Sequence, residues 1–506
     1  MHIEQSDKSR DLINLSILLA VALCIGIYLI LTTAVISRDG TTFITYAKQL
    51  DSAFVQTIKN EAQHPGYPGL ILVSHKATDF RYKNTSILSW IYCAQSIALI
   101  FRLLAITVLY FIGKHLFEAR TSFWAILILI FLPNPAEYGS DALSDWPHLF
   151  FFAAGLYLLF KAGTSRKWWL FGFAGLAAGA GYLIRPECAI VVMLGCLWLG
   201  FQFLWPERSI GKSRAVCALA LLIAGFLAIA GPYMMLKGAL FPKKNVGQFS
   251  QSSKQPDVDK QTDLTLPQTT LASQFTPSNI TRAFGKLFDN TGETLMWFFV
   301  PALFIGIYKK LKAQKWYEPE KFFIIAIAAL YIPLMIWLHC KHGYMSDRHT
   351  LPLLIIPILY IPAGLQELST WFQKRFSRKA DSAAANRDER FWFLVLIIIG
   401  VFICIPKLFR PLGSDKQGYR AAAQWLKANT DSDAVVAVPE IRISFYAQRP
   451  GVVYENGNIP ANAGYTVVIP ENKKDDTVLT EPPGKVEYEY VSKSKRGVNV
   501  VIYRNL

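Results

Sequence analysis

Apolar runs long enough to cross a bilayer recur along most of the chain, separated by short polar loops. A hydrocarbon core of roughly 30 Å takes about 20 helical residues. The first run, Leu12–Ile36, exceeds a signal-peptide core and is followed by no small-residue cleavage site, so it reads as a span. Further runs cover Thr85–Ile112, Ser122–Pro133, Trp146–Phe160, Trp168–Ile184 and Cys188–Trp205. The series continues with Ala215–Leu236, Glu293–Tyr308, Phe322–Leu338, Leu351–Leu365 and Phe391–Leu408. The pattern predicts a polytopic α-helical membrane protein with about eleven crossings. Within Trp168–Ile184, Gly172, Gly175, Gly179 and Gly181 suit close helix–helix approach.

Basic residues sit in alternate loops: Lys114 and Arg120; Lys161, Arg166 and Lys167; Arg208, Lys212 and Arg214; Lys309 to Lys321; Lys374 to Arg390. By the positive-inside rule these loops and the N-terminus face the cytoplasm and the C-terminus lies outside, as for a multi-pass cell (inner) membrane protein. The remaining loops fall on the outer side. The first external loop, 37–84, holds Phe43, Ala47, Leu50 and Phe54 at helical spacing, which predicts an amphipathic surface helix. A rigid turn, His64-Pro65-Gly66-Tyr67-Pro68, and a short apolar stretch, Gly69–Val73, follow. A later outside segment is rich in Ser, Thr, Gln and Pro from Gln248 to Asn279.

After the last span the period changes. Tyr419–Ala428 reads as a helix; Ala434–Val438, Ile443–Tyr446, Val452–Tyr454, Thr466–Ile469, Val486–Tyr490 and Asn499–Tyr503 read as strands. The chain therefore divides into a transmembrane module, 1–409, and a small extracytoplasmic α/β domain, 410–506.

Composition agrees: 52% of residues are hydrophobic and 17% charged, which excludes a soluble globule. The net charge of +16 lies in orientation loops rather than in a nucleic-acid stripe. Most of the 7 cysteines lie inside apolar runs and form no CxxC pair, so they read as small core residues. Arg102 lies in mid-span, where a charge must face the bundle interior or snorkel.

Ionisable residues crowd the outer turns. The first loop offers Asp39, Tyr46, His64 and Tyr67; the second, Glu137, Tyr138, Asp141 and Asp145; a late turn, His339, His342, Tyr344, Asp347, Arg348 and His349; Arg185 stands at another outer edge. Loops at one end of a bundle converge, so these groups can line one cavity. The mixture suits transfer of a sugar from a lipid phosphate to a hydroxyl. A carboxylate takes the proton of the hydroxyl acceptor, and cations neutralise the leaving phosphate. Asp39 is the candidate base, with Asp141 supporting it or orienting the acceptor. Arg185 and Arg348 are the candidate phosphate holders, because a guanidinium donates twice to phosphate.

Several short motifs resemble glycosyltransferase family 39, of the GT-C fold, which includes protein O-mannosyltransferases and lipid A aminoarabinose transferases. Arg38-Asp39-Gly40, Tyr46-Ala47 and His64-Pro65-Gly66-Tyr67-Pro68 are similar to its first external loop. Asp141-Ala142-Leu143-Ser144-Asp145-Trp146-Pro147 resembles its second, Leu183-Ile184-Arg185-Pro186 the end of a later span, and Asp347-Arg348-His349 with Leu351-Pro352 its late turn. The likeness spans roughly Leu12–Gln366. It implies inverting transfer from a polyprenyl-phosphate sugar donor to a lipid, glycan or protein hydroxyl, with Asp39 as the essential first-loop acid. Two departures stand out: Gly40 follows Asp39 where many members carry a second acid, and His64-Pro65-Gly66 stands where many read His-Pro-Pro. The late turn can also hold a divalent cation, as some relatives do, although its spacing fits no standard zinc pattern. The alternative reading is a transporter or flippase of lipid-linked sugars, for which broken helices with charges at mid-membrane and repeat symmetry are expected.

Overall fold

The opening helix, α1 (His2–Leu31), stops before its apolar run does. The hydroxyls of Thr32 and Thr33 donate to the carbonyls of Tyr28 and Leu29, both at 2.8 Å, and close the last turn. A short irregular linker then leads to a new helix, α2 (Arg38–Ser52). Asp39 therefore opens a second helix rather than ending the first span. The computed structural model describes residues 2–82, 86–165, 167–204, 211–238, 275–314, 318–376, 382–454, 459–470, 484–492, 494 and 497–505. Arg166, Arg208, Lys315 and most of the Ser/Thr/Gln/Pro-rich stretch lie outside the described residues.

The first external loop is helical throughout most of its length. Helix α2 buries Phe43, Ala47 and Leu50 on one face, as the spacing predicts, together with Ile44, but it ends before Phe54, which opens the next helix and is exposed. It is followed by α3 (Phe54–Asn60) and α4 (Gly66–Tyr82). The expected turn at His64–Pro68 is thus the start of a 17-residue helix. Pro68 falls in its first turn, where the missing N–H costs nothing.

The membrane bundle comprises α1, α5 (Ile87–Leu116), α6 (Ala119–Phe131), α8 (Asp145–Ser165), α9 (Leu170–Tyr182), α10 (Ala189–Leu204) and α11 (Lys212–Lys237). After α12 (Pro277–Thr294) it continues with α13 (Val300–Ala313), α14 (Pro319–His342), α15 (Asp347–Leu354), α16 (Ile361–Phe376) and α17 (Ser382–Leu408). A short helix, α7 (Pro133–Tyr138), forms part of the second external loop. Among the described residues 6 helices are long and apolar enough to cross a membrane, or 7 with one bent pair counted as a span. Helices α6 and α9 are apolar but only 13 residues each, a rise of about 20 Å.

Two expected spans are broken. Glu293 and Thr294 belong to the amphipathic α12, and the chain turns through left-handed Met296 (φ 53°) and Trp297 (φ 57°) before α13. The run Leu351–Leu365 is divided: α15 and the helical stretch Pro357–Arg375, a 3-10 turn that leads into α16, bend by 54° at a break just before Pro357. Arg102 is fully buried in α5; its Nη2 donates to the Ile130 carbonyl at 3.0 Å and its guanidinium lies 5.9 Å from the Trp146 ring. It faces the bundle interior.

Beyond α17, helices α18 (Gln417–Asn429) and α19 (Ile441–Ala447) cover a five-stranded sheet. Its strands are β1 (Val436–Val438), β2 (Gly451–Val453), β3 (Tyr465–Val468), β4 (Gly484–Tyr490) and β5 (Val500–Asn505), in the order β2-β1-β3-β5-β4. The segment expected as a strand at Ile443–Tyr446 is α19. Strands β1 and β2 are parallel, so the chain between them must cross over, and a helix does this. Ile443 and Ala447, one turn apart, enter the sheet's core, while Phe445 and Tyr446 turn towards the first external loop.

Helix α9 lies on α11 through the small residues of its sequence. A Cβ on Gly175 would stand 2.1 Å from the Leu222 carbonyl oxygen, against backbone that cannot rotate away. Gly175→Ala is expected to destabilise the bundle by about 2 kcal/mol, measured as a lower thermal unfolding midpoint of the purified protein.

Candidate active site

Three helix N-termini and one turn meet at one end of the bundle. The Ser37 hydroxyl caps α2 by accepting from the Gly40 amide at 3.2 Å, and Asp39 lies in the first turn. Asp145 is the first residue of α8. Ser346 and His349 form a capping box at the start of α15, which carries Asp347 and Arg348. Arg185 precedes the short 3-10 turn Pro186–Cys188. Helix N-termini carry partial positive charge and favour the acids placed there.

Arg348 is the pivot. Its Nη1 donates to Asp39 Oδ2 at 2.6 Å, while its Nε and Nη2 donate to Asp145 Oδ2 at 3.1 and 2.8 Å. Arg185 Nη2 lies 3.2 Å from Asp145 Oδ1, and Arg185 Nε donates to Ser144 Oγ at 3.1 Å. Charges thus alternate as Asp39, Arg348, Asp145, Arg185. The series has a closed and an open end: the Asp145 side chain is 2% exposed and that of Asp39 43%. Burial pushes the Asp145 carboxyl up, but Arg185 and Arg348 outweigh it and hold it below its ordinary value.

Asp141 does a different task. Its two oxygens accept from the Ser37 amide at 3.2 and 3.1 Å, and Oδ1 also accepts from the Ala142 amide at 2.7 Å. Burial raises its carboxyl pKa, opposed by these amide donors. Asp141 therefore ties the second external loop to the residue that caps α2. Asp347 turns the other way, accepting from Asn134 Nδ2 at 3.2 Å and the Tyr138 hydroxyl at 3.4 Å.

The first-loop aromatics pack at the buried face of α2. Tyr67 is fully buried, donates its hydroxyl to the Ala94 carbonyl at 2.9 Å and packs edge-on against Phe43. Buried His64 lies 5.1 Å from both the Tyr182 and Tyr233 rings, and buried Tyr46 joins that cluster. Glu137 and Tyr344 are exposed, and neither side chain bonds to the four alternating charges. Among the described residues no three His, Cys, Asp or Glu side chains come together as metal ligands; the His342 side chain is outside those described.

Both departures from the pattern that the motifs resemble have a local structural reason. A Cβ at Gly40 would lie 2.8 Å from the Ala142 Cβ and 3.0 Å from its carbonyl oxygen, so the contact between the first and second loops leaves no room for a second acid. The Gly66 amide donates to the Leu183 carbonyl at 2.7 Å, two residues before Arg185, and a proline there has no proton to give. Sequence reasoning missed Ser144 as a partner of Arg185, although it lies inside the second-loop motif. It also missed Arg420, Glu440 and Tyr446 beside the first loop, for which no local signal exists.

Residues 91–232 match the model of the dolichyl-phosphate-mannose-protein mannosyltransferase family. No curated protein sequence matches the chain. The structure is similar to that of ArnT from Cupriavidus metallidurans bound to undecaprenyl phosphate, with a TM-score of 0.59 and 14% identity, covering 96% of this chain and 97% of that one. It is also similar to the oligosaccharyltransferase AglB from Archaeoglobus fulgidus in complex with an inhibitory peptide and a dolichol-phosphate. There the TM-score is 0.55 at 12% identity, covering 90% of this chain and 69% of that one. The chain has a GT-C-like, multi-pass membrane fold with a small C-terminal sheet unit.

Asp145→Asn keeps the shape but leaves two largely buried guanidinium groups without their shared counter-charge. A loss of roughly 3 kcal/mol is expected, read as a lower thermal midpoint at neutral pH. The folded-state pKa of Asp145 is depressed, so its contribution is whole above the unfolded-state value of about 4 and is lost as pH falls through the folded value. The gap between wild type and Asp145→Asn should therefore narrow in acid; a gap constant down to the acid limit would refute the assignment.

Proposed function

From a GT-C membrane fold and the family match over residues 91–232, we propose that the protein is a glycosyltransferase. It moves a sugar from a polyprenyl-phosphate donor to a hydroxyl of a lipid, glycan or protein at the outer face of the cell membrane. The N-terminus is cytoplasmic and residues 410–506 are extracytoplasmic, forming a separate α/β domain after the module 1–409.

The carrying observation is the pairing of Asp39 with Arg348 across 309 residues of sequence. A half-exposed acid and a cation of opposite role share one position at the mouth of an otherwise buried network. In the reaction Asp39 takes the proton of the acceptor hydroxyl. The acceptor oxygen attacks the anomeric carbon opposite the phosphate, the carbon–oxygen bond to phosphate breaks, and the sugar inverts. Arg348 and Arg185 hold the departing phosphate and offset its charge. Asp145 keeps the two guanidinium groups in register, and Asp141 holds the cap from which Asp39 projects. Buried Tyr67 packs beneath Phe43 of α2, and the helix's own Tyr46 is buried in the cluster of Tyr182 and Tyr233 that His64 flanks.

Transfer of radiolabelled sugar from polyprenyl-phosphate donors tests this. Asp39→Asn is expected to lower turnover by about 100-fold or more. Arg348→Lys, which loses the fork, is expected to weaken donor use as well. Full turnover by Asp39→Asn would remove the proposed base. Wild type that moves lipid-linked sugars between leaflets without transferring them would establish the flippase reading instead.

A further inference from the structure

The linker between α1 and α2 has no helix or sheet of its own to hold it, yet Asp39 hangs from its end. Backbone of this kind is fixed only by what lies beside it. On one side stands Asp141, which accepts from the Ser37 amide. On the other stands the C-terminal unit. The Ala34 amide donates to the Leu412 carbonyl at 2.9 Å. Arg420 Nη1 donates to the Ala34 carbonyl at 3.2 Å and reaches that of Thr33 at 3.5 Å. The Ile36 amide donates to the Tyr446 hydroxyl at 3.0 Å. Arg38 Nε lies 3.9 Å from Glu440 Oε1, and Phe445 and Tyr446 pack against the cluster of Ile36, Phe43 and Ile44.

Ile36 and Ser37 are successive, and each amide is taken by a side chain from a different part of the molecule. We propose that Tyr446 and Arg420 are positioning residues for the reaction. The C-terminal unit is one jaw of a clamp, the second external loop is the other, and the clamp sets where the Asp39 carboxylate stands relative to Arg348. The unit thereby takes part in turnover without touching the reacting atoms. This rests on Asp39 acting as the base.

The experiment uses the full-length protein in lipid nanodiscs. Tyr446→Phe removes one oxygen and keeps the ring that packs against Ile36. A misplaced catalytic group costs more in turnover than in binding, so kcat is expected to fall about tenfold or more while the donor KM stays within about twofold. Hydrogen exchange of the peptide covering residues 32–40 should quicken, with the thermal midpoint unchanged. Arg420→Gln should act in the same direction, and Arg420→Lys should restore part of the loss. In an Asp39→Asn background Tyr446→Phe should cost nothing further, whereas a merely structural role would lower the midpoint and act in both backgrounds. Wild-type kcat and wild-type exchange in Tyr446→Phe would overturn the clamp. An additive double variant would also overturn it. A wild type that transfers no sugar would instead refute the functional reading, and the exchange comparison distinguishes the two failures.

Discussion

The guanidinium of Arg348, held between Asp39 and Asp145, is the interaction on which the rest of this end of the bundle depends. A charge taken out of water is tolerated only with a partner in good geometry. Here one arginine from the late turn meets one acid from the first external loop and another from the second. Arg185 adds a fourth strand of chain through Asp145. No member can move far without stranding another, so four segments spread over 309 residues of sequence are brought to one place.

That network is closed at Asp145 and open at Asp39, and the contrast suits the two tasks assigned to it. The buried acid is satisfied by two cations and keeps its charge. The exposed acid has one cation and stands open to solvent. Around them the backbone adds its own electrostatics: α2, α8 and α15 all present their N-termini here. The same end of the bundle also shows why Gly40 stands where a second acid is common in the family. The second loop approaches so closely through Ala142 that only hydrogen fits, and the contact that aligns Asp141 with Ser37 depends on that approach.

The sheet unit illustrates how topology overrides local pattern. The run Ile443–Tyr446 reads as a strand, yet β1 and β2 lie parallel and require a crossover between them. The helix that results has two useful faces: Ile443 and Ala447 enter the sheet's core, while Phe445 and Tyr446 rest on the first external loop. A strand at this place would have offered neither the crossover nor the second face.

Hydropathy alone determined that this is a helical membrane protein with polar loops at one end and an α/β unit at its C-terminus, because burying backbone in lipid leaves few other solutions. Short motifs singled out Asp39, Asp141, Asp145, Arg185 and Arg348, because charged residues beside apolar runs are conspicuous. What only the tertiary structure decided is how they divide their tasks. Asp141 bonds to backbone, Asp145 bridges two arginines, Asp347 faces away, and Tyr67 lies beneath the site. The breaks at Trp297 and Pro357 and the contact of Tyr446 with Ile36 were equally hidden. Pairing partners hundreds of residues apart leave no periodic trace in a single sequence; they are set by which helix ends the packed bundle brings together.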